Sequence, residues 1–368
     1  MKFTGNQKNL YLLALILFFV SIVLVCVWTF TGNSREASSI AWPTPAPQSS
    51  QMSEVLPTAA PDAQAVSQNT KQQMVSTIVY YQDNYGYLVP VMCNVAYEDG
   101  IAKATLGRMI QSSENDMAAA RLGLRTVLPE GTSIDLDIHD GLARIDLSSH
   151  VLKMADAAAE NNMITAIVQT LTEFDSVKQV EFLVAGQKRE KLTHGTDISQ
   201  KFERGEINME TSVETMASTA LEPVQLYFSC DSASVVVPVT RMVYANADIN
   251  TAVLELTKGP VRQSPLEGVL PDGCGLIGVT VENGVAKVNF TKEFAQMVQE
   301  SDGGRMALKA LVLTCTQFEG VKGVEVYVEG EKYDPGAGTL DVPSFANVAQ
   351  EIESAYIQTQ SNMIFDFE

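Results

Sequence analysis

The feature that most constrains the fold of this 368-residue chain is an internal repeat, because two copies of one pattern must answer to one architecture. Val127-Leu128-Pro129-Glu130-Gly131 returns as Val269-Leu270-Pro271-Asp272-Gly273. Asp140-Gly141-Leu142-Ala143-Arg144-Ile145-Asp146-Leu147 returns as Asn283-Gly284-Val285-Ala286-Lys287-Val288-Asn289-Phe290, and Leu88-Val89-Pro90-Val91 matches Val236-Val237-Pro238-Val239. A fourth pair closes each copy: Thr172-Glu173-Phe174-Asp175-Ser176-Val177-Lys178 against Thr316-Gln317-Phe318-Glu319-Gly320-Val321-Lys322. The matches keep their order, and their offset drifts only from 142 to 148.

Each shared motif has a structural job. Ile134, Leu136 and Ile138 alternate with Asp135, Asp137 and His139, the period of a half-buried strand. Asp140-Gly141 then turns the chain into a second alternating segment, as Asn283-Gly284 does in the other copy, since both pairs tolerate the positive φ of tight hairpins. Ser148 and Thr291 are placed to cap a helix after each hairpin. A longer helix follows, with Met163, Ile164, Ile167, Val168 and Leu171 on one face in the first copy and Met306, Leu308, Leu311 and Val312 in the second. These helices end near Phe174 and Phe318, and alternating strands run over 177–184 and 321–328. Upstream, 77–81 and 87–93 read as extended, with a helix near 102–111. The fold class is therefore α+β, two tandem ββαββαβ modules at 75–202 and 222–335, where Pro129, Gly131, Pro271 and Gly273 turn the chain.

The flanks are different material. Residues 10–30 carry no charge and are almost all apolar, enough at about 1.5 Å per residue to span a hydrocarbon core of about 30 Å. Lys2 and Lys8 precede the run, which puts the nine-residue tail, 1–9, in the cytoplasm and the rest outside. Cys26 invites a lipoprotein reading, but Val25 is too large for the residue before a lipidated Cys, so a helix anchor is favoured. Residues 31–74 are rich in Pro, Ser, Ala and Gln and read as a tether. The polar stretch 203–221 joins the modules, with room for a short helix. In the tail 336–368, the repeat stops matching past Asp334, and 344–358 place Phe345, Val348, Ile352 and Tyr356 on one helical face, either to pack on a module or to serve as a docking peptide.

The net charge is −19, with 23 basic and 44 acidic residues beyond residue 31, and it argues against nucleic acid as a partner. Its simplest role is solubility. No GxSxG elbow, phosphate loop, GxGxxG turn or HExxH helix occurs, and His139, His150 and His194 lack ligand spacing, so no catalytic, cofactor or metal residue is assigned. The segment from Asp135 to Gly141 imitates a calcium loop, but its alternation of Leu136 and Ile138 says strand, and His139 and Asp140 stand where such a loop needs Asp or Asn and then Gly. Glu173 and Asp175 are close acids at a helix end, and the second copy has Gln317 and Glu319 instead. Cys93, Cys230, Cys274 and Cys315 have no CxxC spacing and no equivalence between copies, which disfavours a disulfide framework.

The ordered set of Val-Leu-Pro-(Glu/Asp)-Gly, the (Asp/Asn)-Gly hairpin and the Thr-x-Phe-x-x-Val-Lys entry resembles the GerMN domain family of sporulation and spore germination proteins, over about 75–200 and 222–335. Ala252 to Lys258, followed by Gly259-Pro260, is similar to that family's first helix and its stop; Ala104 to Ser112 departs from it. The resemblance implies an extracytoplasmic, non-enzymatic protein of a spore-forming bacterium, single-pass in the cell membrane, acting as a scaffold or assembly factor for an envelope or sporulation-complex protein. The alternative is an envelope ligand-binding or sensor-accessory protein. The residues shared by both copies, Pro129, Gly131, Asp140, Gly141, Phe174, Pro271, Gly273, Asn283, Gly284 and Phe318, are turn and core residues, so a specific binding surface is expected to belong to one copy.

Overall fold

The structure is a computed structural model that describes residues 74–97, 100–210, 221–230, 233–244, 246–296, 302–333, 340–341 and 347–348. The expected membrane helix at 10–30, the tether as far as residue 73 and Cys26 lie outside these residues. Among the described residues no helix is long and apolar enough to cross a membrane.

Module 1 opens with an antiparallel ribbon, β1 (Met74–Gln82) and β2 (Leu88–Ala96), so Met74 already belongs to the module. Two short helices follow, α1 (Ile101–Gly107) and α2 (Ser113–Ala120). The hairpin of β3 (Ile134–His139) and β4 (Leu142–Leu147) comes next, then α3 (Ala157–Leu171) and β5 (Gln179–Val184), which lies parallel to β4. After the joining strand β6 (Met209–Glu210), module 2 repeats the plan. It has the ribbon β7 (Glu222–Cys230) and β8 (Ala233–Val243), then α4 (Ile249–Thr257) and the short β9 (Leu266–Glu267). The hairpin β10 (Leu276–Glu282) and β11 (Val285–Phe290) is followed by α5 (Asp302–Thr316) and β12 (Gly323–Val328), parallel to β11. Two short strands, β13 (Glu331–Tyr333) and β14 (Leu340–Asp341), both pair with β12.

The ββαββαβ order thus holds in outline. Module 1 departs from it with α2, which Ser112 caps by accepting the Asn115 N–H at 3.2 Å and which has no counterpart among the described helices of module 2, whereas β9 repeats the bridge of Gln82 to Arg125 in module 1.

The turns act as the sequence demands. Asp140 (φ 51°) with Gly141 (φ 81°), and Asn283 (φ 52°) with Gly284 (φ 81°), adopt the same left-handed pair. Each turn also seats the strand two elements on: the Gly141 carbonyl accepts Lys178 and Gln179 N–H at 2.7 and 3.0 Å, and Gly284 accepts Lys322 and Gly323. This links the Asp/Asn-Gly motif to the Val-Lys motif physically.

The expected cap after the first hairpin is not made. The segments following Ser148 and Thr291 are 3-10 turns, Ser149–Lys153 and Lys292–Gln296, and the Ser148 hydroxyl does not cap the first. Ser148 Oγ accepts the Ser133 N–H at 3.0 Å and Thr291 Oγ1 accepts that of Gly275 at 3.0 Å. Both hydroxyls reach backwards to pin the start of the preceding hairpin, a partner that lies across the sheet and that helix-capping rules do not consider.

α3 packs on β1 and β5, and α5 on β7 and β12. Met163, Ile164, Ile167, Val168 and Leu171 are all buried, as are Leu311 and Val312; Met306 and Leu308 are half-buried. Buried apolar residues of both modules, from Val79 and Leu106 to Phe290 and Val326, form one contiguous cluster.

Candidate functional site

The two modules leave their last strand by the same route. In module 1, Phe202 returns to exchange both backbone hydrogen bonds with Val180 of β5 at 2.8 Å. In module 2, β14 returns to pair Leu340 with Val324, the equivalent of Val180. Each chain end then crosses to the seam between β2 and β8, which lie side by side.

A single asparagine fills each side of this seam. Asn208 Oδ1 accepts the Leu88 N–H at 2.8 Å, and its Nδ2 donates to the carbonyls of Leu88 and Pro238, both at 2.7 Å. Its own carbonyl accepts the Thr240 N–H at 3.3 Å. Asn347 does the same in mirror order. Its Oδ1 accepts the Val236 N–H at 2.9 Å, its Nδ2 donates to the carbonyls of Val236 at 2.9 Å and Pro90 at 3.0 Å, and its carbonyl accepts the Met92 N–H at 2.9 Å. Leu88, Pro90 and Met92 are the repeat equivalents of Val236, Pro238 and Thr240. Each asparagine therefore completes a strand of its own module and bonds the facing strand of the other. The residues that follow add parallel pairing, Met209 and Glu210 with Thr240 and Arg241, and Val348 with Met92.

The expected helix over 344–358 does not form at Val348, where the chain is extended along β2; most of that stretch lies outside the described residues. The joining segment is likewise not helical where described: 203–208 is irregular before β6, and 211–220 lie outside. Backbone pairing with an existing edge, unavailable to an isolated peptide, wins over local helical periodicity at these points.

Charged residues clamp the Asn208 side. Arg204 Nη2 donates to Tyr80 Oη at 2.9 Å and to Glu173 Oε1 at 2.6 Å, and Tyr80 itself donates to Glu173 at 3.0 Å. Burial pushes the Tyr80 hydroxyl far above the ordinary tyrosine range, with the Glu173 charge adding to the shift and Arg204 opposing it. Across the seam the repeat equivalents are Tyr227 and Gln317. Tyr227 donates to Gln225 Oε1 at 2.9 Å, and Gln317 exchanges hydrogen bonds with the Gln225 backbone at 2.9 and 2.7 Å. Tyr80, Arg204, Pro223, Gln225 and Gln317 line a polar cavity of about 330 Å³ between them. Arg241 of β8 gathers Glu210 Oε2 at 2.7 Å, Glu255 Oε2 at 3.0 Å and the Gly259 carbonyl at 2.8 Å, which ties β6 to the end of α4.

The residues singled out in the sequence fall elsewhere. Gly131 and Gly273 both hold φ 77° after Pro129 and Pro271, whose carbonyls accept the N–H groups of Thr132 and Cys274. Phe174 and Phe318 are half-buried against the core. Asp135, Asp137 and His139 form the exposed face of β3, as the strand reading requires. His150 pairs with Ser148 Oγ at 3.0 Å, and the His194 N–H caps the fully buried Glu160 at 2.9 Å. Among the described residues no group of His, Cys, Asp or Glu is arranged to hold a metal ion, and Cys93, Cys230, Cys274 and Cys315 are buried thiols. Glu173 is not merely a helix end but one of the groups that meet at the seam. Asn208 and Asn347 escaped the sequence comparison because an Asn before an apolar residue is too short a signal to register as a repeat.

Comparison with known proteins places this arrangement. The family model described as sporulation and spore germination matches residues 78–190 and 225–334, one match per module and more than half of the chain. The spore germination protein GerM of Bacillus subtilis (strain 168) is 29% identical over 276 residues, covering 70% of this chain and 74% of that protein. The solved tandem GerMN domains of the sporulation protein GerM from Bacillus subtilis superpose with a TM-score of 0.62 at 26% identity, covering 76% of this chain and all of that one. With both modules matched in sequence and in structure, the chain belongs to the Germane family of sporulation and spore germination proteins, in its tandem form.

Proposed function

We propose that this chain is a membrane-anchored, extracytoplasmic, non-enzymatic protein of sporulation or spore germination that serves as a scaffold for an envelope protein complex. Membership of the family and the likeness to GerM support the sporulation part. The anchor is the apolar run at 10–30.

The observation that carries the scaffold reading is a difference between the two sheet edges. β3 guards its exposed face with Asp135 and Asp137, a common defence against unwanted pairing. At the equivalent positions β10 has Gly278 and Thr280, and Ile277 and Val281 are half exposed. Asn250 Oδ1 takes the Val279 N–H at 2.9 Å, so the open stretch begins at Thr280. An edge that is uncharged from Leu276 to Val281, with exposed aliphatics beside it, suits addition of a partner strand. Crosslinking the full-length protein in sporulating cells tests this: an envelope protein is captured by the natural chain and lost with Thr280→Asp/Val281→Lys. Capture of no envelope protein, together with normal sporulation on deletion, refutes the reading.

A second reading, envelope-ligand binding, draws on a cavity of about 440 Å³ in module 1 whose lining includes Leu124, Val127, Leu128, Met154, Arg125 and Lys153. Vegetative expression with a wall-stress phenotype on deletion favours it over the scaffold.

A further inference from the structure

A groove runs between α3 and the segment by which the chain leaves module 1. Asn161, Ile164, Thr165, Val168 and Gln169 follow the three- and four-residue spacing of one helical stripe, and they form one wall of a cavity of about 390 Å³. The opposite wall is Thr196 and Asp197 in the loop after β5, then Phe202, Glu203 and Glu206 where the chain heads for the seam. That loop is tied down from behind. The fully buried Glu160 accepts the N–H groups of His194 and Thr196 at 2.9 and 3.3 Å, and Thr193 Oγ1 donates to the Leu152 carbonyl at 2.8 Å.

The lining divides into an apolar floor and a rim of acceptors. Ile164 and Val168 are buried, and Phe202 is half-buried with its ring edge-on to Phe182. Asp197, Glu203 and Glu206 are exposed carboxylates, and among the described residues no Lys or Arg lines the cavity. Arg204 is turned to the other side of the connector, where it meets Tyr80 and Glu173. Each rim carboxylate has one oxygen held by a neutral donor: Asp197 by the Ser199 hydroxyl at 2.6 Å, Glu203 by the Gln179 amide at 2.8 Å and Glu206 by the Thr240 hydroxyl at 3.2 Å. Their second oxygens have no hydrogen-bond partner, and none of the three is in an ion pair, among the described residues.

Gln169 is an independent sign of an occupant. Its side chain is 2% exposed, and its Nε2 donates to the Gly205 carbonyl at 2.6 Å. Its Oε1 accepts from no group among the described residues. A buried acceptor left without a donor is unfavourable until a ligand supplies one.

We propose that this groove binds a primary alkylammonium, delivered as a lysine side chain of a partner protein. The four-carbon stem lies on Ile164, Val168 and Phe202, and the ammonium donates to Gln169 Oε1 and to the open oxygens of the rim. Lysine fits better than arginine because the acceptors come from a helix, a loop and a connector, whereas a guanidinium fork calls for one planar pair. The loop carrying Thr196 and Asp197 is longer than the one between Val324 and Leu340, so the site is expected in one module only. The inference goes beyond the scaffold reading and does not rest on it, since the β10 edge takes no part.

Photocrosslinking of the full-length protein tests the proposal. The probe is a lysine methylamide with a diazirine on its α-acyl group, and adducts are mapped by peptide mass spectrometry. They are expected within 161–169 and 196–206, to be competed away by Nα-acetyl-lysine methylamide, and to persist with the norleucine analogue, which lacks the amine, or with methylammonium, which lacks the stem. Glu203→Gln/Glu206→Gln is expected to reduce these adducts about tenfold with the urea midpoint unchanged. Competition by the norleucine analogue or by methylammonium as strong as that by the lysine amide overturns the proposal without any variant having to fold, as do adducts scattered over the acidic surface. Stronger competition by 1,5-diaminopentane than by the lysine amide points to a free diamine and overturns the protein source.

Discussion

Arg241 and Glu210 form an ion pair across the seam, Nε to Oε2 at 2.7 Å, with side chains only 13% and 3% exposed. Removing one partner of such a pair leaves a charge in a place water does not reach. Glu210→Ala is expected to lower stability by about 3 kcal/mol, well beyond the loss of about 1 kcal/mol or less for an exposed pair. Urea unfolding of both proteins measures the difference.

The hairpin glycines should not be equivalent. Both hold φ 81°, where a side chain costs about 1–2 kcal/mol. A Cβ on Gly141 meets only the flexible Lys178 side chain at 3.6 Å, whereas on Gly284 it meets the Gly320 carbonyl oxygen at 3.1 Å. Gly284→Ala is therefore expected to shift the unfolding midpoint further than Gly141→Ala, by thermal or urea denaturation.

Acid should destabilise both sheets at matching positions. The Lys188 ammonium, and then the Arg144 guanidinium, hold the Glu181 carboxyl below the ordinary glutamate value of 4.5, and Lys332 does the same to its repeat equivalent Glu325. A carboxyl depressed in the folded state stabilises fully above its unfolded pKa, and the contribution is lost as the pH falls through the folded value. Glu181→Gln/Glu325→Gln should be less stable than the natural chain at pH 7 and lose less on going to about pH 3, by urea titration at each pH.

Burial pushes the Cys315 thiol up to about 12 and the Cys274 thiol up to about 11. Neither forms appreciable thiolate near neutrality, and thiolate is the reactive species. Iodoacetamide at about pH 8 is expected to leave both unmodified in the native protein and to label them in urea, read by peptide mass spectrometry.

What the sequence disclosed was local. The Asp140-Gly141 and Asn283-Gly284 turns, the alternation of β3 and β4 and the buried face of α3 each follow from a few adjacent residues. Ser148 and Thr291 take partners, Ser133 and Gly275, that lie a hairpin away, beyond the reach of local capping rules. Asn347 illustrates the larger gap. Its partners Pro90 and Met92 are separated from it by most of the described chain, and the side chain's importance comes from unsatisfied backbone groups on strands that periodicity alone does not bring together.

The reciprocal use of Asn208 and Asn347 is the pattern of an isologous dimer, in which each half lends the same piece to the other. Here the halves are covalently joined. A dimer held by such contacts would come apart on dilution, whereas an intramolecular pair keeps its effective concentration whatever the abundance of the molecule. A protein present in few copies would thus keep its two-fold body assembled, with no threshold of expression to cross.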